Sequence, residues 1–132
     1  MNVLFQVVAV AARNIEDAKT FATRHKIEKA YGGYQKLATD PDVEVGMLLL
    51  LLSFDSIYDY CVEVVYVGAI HPKHLEIAKI YLEAGKSVLC EKPLCMNVKE
   101  TEELIQLARS KNVFLMEGIW SRCIPAYKVL FY

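Results

Sequence analysis

The chain has 132 residues, which is enough for one ordinary domain with a hydrophobic core and too few for two. Its 15 basic and 16 acidic side chains nearly cancel, and the basic ones do not gather on one helix face, so we expect no nucleic-acid partner. The four cysteines form no CxxC pair, and no charged segment followed by an apolar one opens the chain, which predicts free thiols in a cytoplasmic protein.

The first part of the chain alternates between apolar and amphipathic segments. Residues 5–12, FQVVAVAA, form an apolar run that is typical of a strand covered on both faces. Helical spacing of small and aromatic residues predicts a helix over 14–26. The sequence YGGY at 31–34 is expected to break this pattern, before a short helical turn at 35–38 and a loop at 39–42.

The same alternation continues in the second half of the chain. Apolar runs predict three further strands, at residues 64–70, 88–90 and 113–116. An amphipathic helix is expected to follow Pro72 and to end at Gly85, and the capping-box pattern at 97–100 is expected to open another helix. Strands that alternate with helices of this length pair in parallel through right-handed crossovers. The sequence therefore predicts an α/β fold with a doubly wound parallel sheet.

One segment interrupts the alternation. The triplet VEV occurs at residues 43–45 and again at 62–64, with GMLLLLLSFDSIYDYC between the two copies. The leucine run at 48–52 is too short to cross a bilayer, which takes about 20 apolar residues, so we expect no membrane association. We interpret residues 46–64 as an insertion, because a repeated triplet is what an insertion beside a junction leaves. An additional buried strand or helical turn is the alternative.

Polar side chains follow several of the predicted strands, and ligands bind at the carboxyl ends of the strands in a doubly wound sheet. Arg13 follows the first strand, where an NAD-selective domain carries an acid for the ribose 2'-hydroxyl. A cation at this position favours a 2'-phosphate and so predicts NADP, and a solvated surface arginine is the alternative. Lys92 follows the strand at 88–90, and Pro93 restricts the backbone that directs its ammonium group. Glu91 is expected to pair with Lys92 or to orient the cofactor.

Three other positions carry candidate site residues. His71 and His74 lie three residues apart, but without a third ligand or a positioned acid they predict no metal site. Trp120 offers a flat apolar wall after the last predicted strand, although a single tryptophan at a strand end is more often part of the core. Arg122 adds a fork of N–H donors that suits oxygen atoms of a ligand.

Five segments of the sequence carry a family resemblance. They are AVAARN at 9–14, KAYGGYQKLATDPDVEV at 29–45, HPKH at 71–74, AGKSVLCEKPL at 84–94 and FLMEGIWSR at 114–122. In this order they resemble the dimeric dihydrodiol dehydrogenases of the Gfo/Idh/MocA oxidoreductase superfamily. The resemblance implies an NADP-dependent oxidoreductase that oxidises trans-dihydrodiols and D-xylose, with a homodimeric parent. It also implies that residues 1–132 are a partial Rossmann-type domain, without the first strand and its glycine-rich turn and without the carboxyl-terminal substrate domain.

The resemblance also assigns roles to individual residues. Lys92 corresponds to the catalytic lysine, which acts beside a tyrosine that lies beyond residue 132 in the family order. The implied cofactor contacts are Arg13, Tyr66, His71, Pro72, His74, Glu91, Lys92, Trp120 and Arg122. We expect the chain alone to be inactive. Two alternatives stay open, namely a non-catalytic nucleotide-binding or subunit-association fragment and a fragment that does not fold.

Overall fold

The computed structural model of the protein describes residues 7–41 and 64–125. In the first range, strand β1 is followed by helix α1, strand β2 and the short helix α2. Their bounds are Ala9–Ala12, Ile15–His25, Lys29–Gly32 and Tyr34–Ala38. In the second range, three strands alternate with two longer helices and two 3₁₀ turns. These elements are β3 Val64–Val67, a 3₁₀ turn His71–Lys73, α3 His74–Glu83, β4 Ser87–Glu91, α4 Val98–Lys111, β5 Leu115–Gly118 and a 3₁₀ turn Trp120–Cys123.

All strand pairs in the described residues are parallel. Strand β1 pairs with β2 to form one sheet, and β3, β4 and β5 pair in that order to form the other. Each pair is connected through a helix, as parallel pairing requires. The predicted doubly wound α/β architecture is therefore confirmed.

One strand was missed by the sequence predictions, and two predicted strands have different bounds in the structure. Strand β2 was not predicted, because the two glycines at its end were interpreted only as a helix break, whereas Tyr31 pairs with Ala11 in the sheet. The predicted strand at 64–70 ends at Val67, since the chain there turns into the 3₁₀ segment. The last strand begins at Leu115 instead of at residue 113.

The interpretation of residues 46–64 as an insertion concerns a segment that lies almost entirely outside the described residues. Only its last member, Val64, is described, and this residue is the first of β3 and pairs with Ser87. The insertion therefore stays a prediction.

Asparagine side chains set the beginnings of the two longest helices. Asn14 caps α1 by accepting a hydrogen bond from the Glu16 amide at 3.0 Å. Asn97 caps α4 in the same way, with the Glu100 amide 3.0 Å from its Oδ1. The Glu100 carboxylate accepts from the Asn97 side-chain amide at 2.8 Å and from the Met96 backbone amide at 3.1 Å, so the predicted helix start is confirmed with a variant of the capping box. Because both caps depend on residues within three positions, the sequence alone is enough to place these helix starts.

The core lies between the three-stranded sheet and helices α3 and α4. Its fully buried side chains are Leu82, Leu104, His74, Val88 and Cys90. Helix α2 joins the same core through Leu37, so the two sheets share one hydrophobic interior. None of the helices in the described ranges has the length and apolarity that crossing a membrane requires.

Candidate functional site

The candidate site lies at the carboxyl ends of β3, β4 and β5. The sheet register places Val67 opposite Cys90, and Cys90 opposite Glu117. The strands therefore end at one level, with Glu91 as the last residue of the central strand. This arrangement places the loop after β4, which carries Lys92, between the turn after β3 and the end of β5.

Lys92 is the first residue beyond β4, and its side chain is exposed. Its amide donates a hydrogen bond to Glu91 Oε2 at 3.1 Å, and the Lys92–Pro93 peptide bond is cis. Among the described residues, the ammonium group has no hydrogen-bond or ion-pair partner. An ammonium without a protein partner has all three of its donors available for a ligand.

Glu91 is bonded to a tyrosine and not to the Lys92 ammonium. The Tyr66 hydroxyl donates to Glu91 Oε1 at 2.6 Å, from a side chain that is half exposed on β3. This hydrogen bond is the main cause of the lowered pKa of Glu91, and the Lys92 amide and the charges of Lys92 and His74 lower it further. The same bond, together with burial, raises the pKa of Tyr66 to about 12. At neutral pH, Glu91 is therefore a carboxylate and Tyr66 a neutral phenol.

The two histidines hold the loop after β4. His74 is buried, and its Nδ1 and Nε2 each lie 2.9 Å from a carbonyl oxygen, those of Pro93 and Ala69. Both ring nitrogens are therefore occupied by backbone carbonyl groups. His71 is partly exposed, and its Nε2 lies 2.9 Å from the Cys95 carbonyl oxygen. His74 therefore has no ring nitrogen available for a ligand, whereas His71 keeps its Nδ1.

Sequence reasoning missed one residue at this edge. The carboxylate of Glu117 accepts a hydrogen bond from the Leu94 amide at 2.9 Å, so β5 also holds the loop. Glu117 could have been identified from the sequence, because it is an acidic residue within the apolar run of the last strand and its carboxylate is therefore expected next to core residues.

A crevice separates the turn after β1 from the turn after β3. Its volume is about 530 Å³, and it is lined by Ala12, Arg13, Asp17, Gly33, Tyr34, Gln35, Gly68, Ala69, Ile70, Lys73, Glu76 and Ile77. Arg13 is exposed and has no hydrogen-bond or ion-pair partner within the described part of the chain. Lys73, in contrast, is paired with Glu76 at 2.6 Å. The crevice thus contains, at the carboxyl end of β1, a guanidinium that no described residue pairs with.

The remaining predicted site residues lie beside these two clusters. Pro72 is in the first turn of the 3₁₀ segment after β3, and its exposed position borders the histidine pair. Trp120 and Arg122 lie in the 3₁₀ turn that follows β5, and 62% of the Trp120 surface is exposed. Trp120 is therefore not a core residue. Across residues 7–41 and 64–125, no three histidine, cysteine or acidic side chains are arranged to hold a metal ion.

The parallel strands, the crossover helices and the crevice at the carboxyl ends define a nucleotide-binding α/β domain of the Rossmann class. The sequence profile of the oxidoreductase family with an NAD-binding Rossmann fold, Gfo/Idh/MocA, matches residues 2–119, and the chain belongs to this family.

Named relatives agree with this assignment. The chain is 50% identical over 123 residues to the trans-1,2-dihydrobenzene-1,2-diol dehydrogenase of Xenopus laevis, covering 93% of this chain and 32% of the relative. The corresponding enzyme of Xenopus tropicalis is 49% identical, with the same coverage. The crystal structure of KijD10, a 3-ketoreductase from Actinomadura kijaniata in complex with TDP-benzene and NADP, superposes with a TM-score of 0.75 at 29% identity. That match covers 95% of this chain and 33% of KijD10.

These comparisons confirm the resemblance that the sequence motifs indicated. The chain spans about a third of the length of the curated relatives it matches. The individual roles of the site residues and the extent of the domain stay predictions.

Proposed function

We propose that this chain contributes the coenzyme-binding part of an NADP-dependent oxidoreductase of the dihydrodiol dehydrogenase type. The reaction is the oxidation of trans-dihydrodiols and D-xylose by hydride transfer to NADP. The observation that carries the proposal is the Arg13 guanidinium, which has no partner in residues 7–41 and 64–125 and lines the crevice after β1 in a fold of the nicotinamide-dependent class.

Arg13 supports NADP in preference to NAD. A carboxylate at this position would accept hydrogen bonds from the ribose hydroxyls and repel a 2'-phosphate. The guanidinium presents a planar fork of N–H donors, which matches phosphate oxygens and is stronger with a charged acceptor. The sequence contains no GxGxxG turn, so the described residues fit the adenosine end of the coenzyme better than its diphosphate.

Lys92 is the proposed catalytic residue. When bound, NADP supplies the hydride acceptor at its nicotinamide ring. The ammonium of Lys92, to which no side chain in the described ranges is bonded, can donate a hydrogen bond to the oxygen of a substrate hydroxyl and stabilise negative charge that develops there. Glu91 is poorly suited to accept the substrate proton, because its lowered pKa makes it a weak base at neutral pH. We therefore assign Glu91 to orientation of this edge, through Tyr66 and the Lys92 amide.

The other predicted contacts retain narrower proposed roles. Trp120 and Arg122 supply an exposed aromatic face and a guanidinium beside the end of β5, which suits the nicotinamide end of the coenzyme. Pro72 and the Nδ1 of His71 border the same edge and are proposed as coenzyme contacts. For His74, whose ring nitrogens are both engaged, we propose an indirect role through the Pro93 carbonyl.

The proposal extends to the whole protein. Residues 1–132 form part of a Rossmann-type domain with an insertion at 46–64, and the parent is a cytoplasmic homodimer that acts on a small molecule. We expect no nucleic-acid or membrane partner, in line with the balanced charge of the chain.

A second candidate function is non-catalytic binding of the nucleotide. The crevice with Arg13 lies among turns of β1, β2 and β3 and contains no part of the loop that carries Lys92. Coenzyme binding therefore does not require the catalytic edge to be complete. Saturable binding of NADPH by the chain is expected for both functions. Oxidation of a trans-dihydrodiol or D-xylose by the full-length parent favours the first function, and NADPH binding by that parent without oxidation favours the second.

The test is a fluorescence titration of the purified chain with NADPH and with NADH. We expect Arg13→Ala to weaken NADPH binding about 10- to 100-fold, or about 1.4–2.8 kcal/mol, because one charge-assisted contact is lost. Binding of NADH is expected to change less than twofold. The matched control is Lys19→Ala, which removes an exposed cation of α1 that pairs with Glu16 and does not line the crevice. Equal weakening of NADPH and NADH by Arg13→Ala, or no preference for NADPH in the unmodified chain, would overturn the assignment.

A further inference from the structure

We propose that Glu117 is a positioning residue for Lys92. Its carboxylate binds the backbone N–H of Leu94 and thereby holds the loop that contains Lys92 against the end of β5. The inference rests on the function proposed above, because it takes Lys92 as the residue that acts on the substrate.

The position of Glu117 in β5 directs it toward the core side of the sheet. Residues two apart in a strand lie on the same face, and Leu115 packs against the hydrophobic core. Glu117 therefore lies on the face covered by α3 and α4, opposite the buried Cys90. A carboxylate that is partly withdrawn from water needs a polar partner. In the described ranges, the Leu94 amide is the hydrogen-bond partner of the Glu117 carboxylate, and the bond joins residues 23 positions apart.

The charge of Glu117 also affects the pKa values of two nearby thiols, those of Cys90 and Cys95. Burial raises the pKa of Cys90 to about 12, and the nearby charges that add to this rise include the Glu117 carboxylate. Burial is also the main cause of the raised pKa of Cys95, and Glu117 again contributes. Cys90 is in β4 just before the loop and Cys95 is within it, so both thiols lie near the part of the loop that Glu117 contacts.

Three side chains from three elements bind consecutive backbone groups of this loop. His74 of α3 contacts the Pro93 carbonyl, Glu117 of β5 accepts from the Leu94 amide, and His71 of the 3₁₀ turn contacts the Cys95 carbonyl. Glu117 is the member that approaches from the β5 side. Without it, the loop loses its contact with β5, and Lys92, two residues from Leu94, loses part of what fixes its position. Displacements of about 1 Å are enough to reduce catalysis strongly, even when they arise away from the reacting atoms.

The approach of β5 to β4 is close at this level. A Cβ atom added at Gly118 would lie 3.2 Å from the Cys90 carbonyl oxygen and 3.6 Å from the Glu91 Cα. The glycine thus lets the two strands meet tightly beside Glu91, which keeps the Glu117 carboxylate within reach of the loop. An aspartate at position 117 would be too short to reach the Leu94 amide, because it has one methylene group fewer than glutamate and each methylene extends a side chain by more than 1 Å.

Two substitutions separate the hydrogen bond from the charge. Glu117→Gln keeps an amide oxygen at the same reach and removes the charge, whereas Glu117→Asp keeps the charge and withdraws it from the Leu94 amide. The readouts are hydrogen exchange of the Leu94 amide and the NMR order parameter of the Lys92 amide, with global stability measured by urea unfolding. Glu102→Gln is the control, since this exposed residue of α4 has no partner in the described part of the chain.

For Glu117→Asp we expect exchange of the Leu94 amide to accelerate at least tenfold. The order parameter of the Lys92 amide is expected to fall from about 0.85, typical of rigid backbone, to below about 0.6. Glu117→Gln is expected to stay within threefold of the unmodified chain in exchange, as rescue by the isosteric variant. The Ala108 amide in α4 reports any general loosening and should be unchanged.

Three results would overturn the proposal. One is a Glu117→Asp chain with unchanged Leu94 exchange, and another is a Glu117→Gln chain as disturbed as the aspartate variant. The third is an acceleration that the Ala108 amide shares equally, which would mark a general loss of structure. None of these readouts involves the coenzyme. A failure of NADPH to bind the unmodified chain therefore refutes the proposed function and leaves the result for Glu117 standing by itself.

Discussion

Replacement of His74 by phenylalanine is a direct test of how the loop after β4 is held. The phenyl ring has nearly the shape of the buried imidazole but carries no N–H group. The substitution therefore removes the two ring nitrogens that lie 2.9 Å from the Ala69 and Pro93 carbonyl oxygens, with little change in packing volume. His71 offers a matched comparison, because its ring contacts a single carbonyl, that of Cys95, from a partly exposed position.

The expected loss follows from the two carbonyl oxygens that no longer face a polar ring nitrogen. A buried polar group that loses its partner costs about 1–3 kcal/mol. Pro93 is exposed, so water can replace part of the lost contact there, and Ala69 is partly buried. We therefore expect His74→Phe to lower the free energy of unfolding by about 2–4 kcal/mol, a large share of the about 5–15 kcal/mol typical of a domain. For His71→Phe we expect a loss below about 1 kcal/mol.

The assay is urea unfolding at neutral pH, followed by circular dichroism at the helix band. The free energy of unfolding falls linearly with urea concentration, and this slope should be the same in both variants and the unmodified chain. The shift in the urea midpoint of unfolding then measures the change in stability. The reasoning is refuted if His74→Phe unfolds within about 0.5 kcal/mol of the unmodified chain, the range of ordinary surface substitutions. It is also refuted if His71→Phe costs as much as His74→Phe.

Two further predictions follow from the shifted pKa values. Burial raises the pKa of Cys90 to about 12, so this thiol should be unreactive toward iodoacetamide at pH 8 in the folded chain. The exposed Cys123 should react under the same conditions. Labelling of Cys90 and Cys123 at similar rates would contradict the structure. Tyr66→Phe should raise the pKa of Glu91 toward its ordinary value, because the hydroxyl is the main cause of the lowering. A carboxylate with a lowered folded pKa stabilises the fold above its unfolded pKa, and this contribution is lost as the pH falls through the folded value. NMR titration of the Glu91 carboxyl carbon checks the prediction, and an unchanged midpoint in Tyr66→Phe would refute it.

Local signals account for the parts of the fold that were predicted correctly. The caps at Asn14 and Asn97 act on amides two or three residues away, so they are visible in the sequence itself. The failure at β2 has the opposite cause. Its four residues become a strand because they pair with β1, about 20 positions earlier in the chain. The glycines at the end of β2 predicted a break at this point and not a strand.

The candidate site shows the same division. Arg13, Glu91 and Lys92 were predicted because a doubly wound sheet collects residues at the carboxyl ends of its strands, and this follows from the order of the elements. The partners of these residues were not predicted. The hydrogen bond of Glu91 comes from Tyr66, 25 positions away, and the loop that carries Lys92 is held by Glu117 from another strand.

The sequence by itself therefore determined the alternation of strands and helices, the helix starts, and the membership of the chain in an oxidoreductase family. Only the tertiary structure decided which polar groups are free and which are engaged. It leaves the side chains of Arg13 and Lys92 without partners in the described residues and gives both ring nitrogens of His74 to backbone carbonyls. The physical reason is that caps and periodicity depend on near neighbours, whereas the satisfaction of a partly buried polar group depends on atoms that folding brings together from distant parts of the chain.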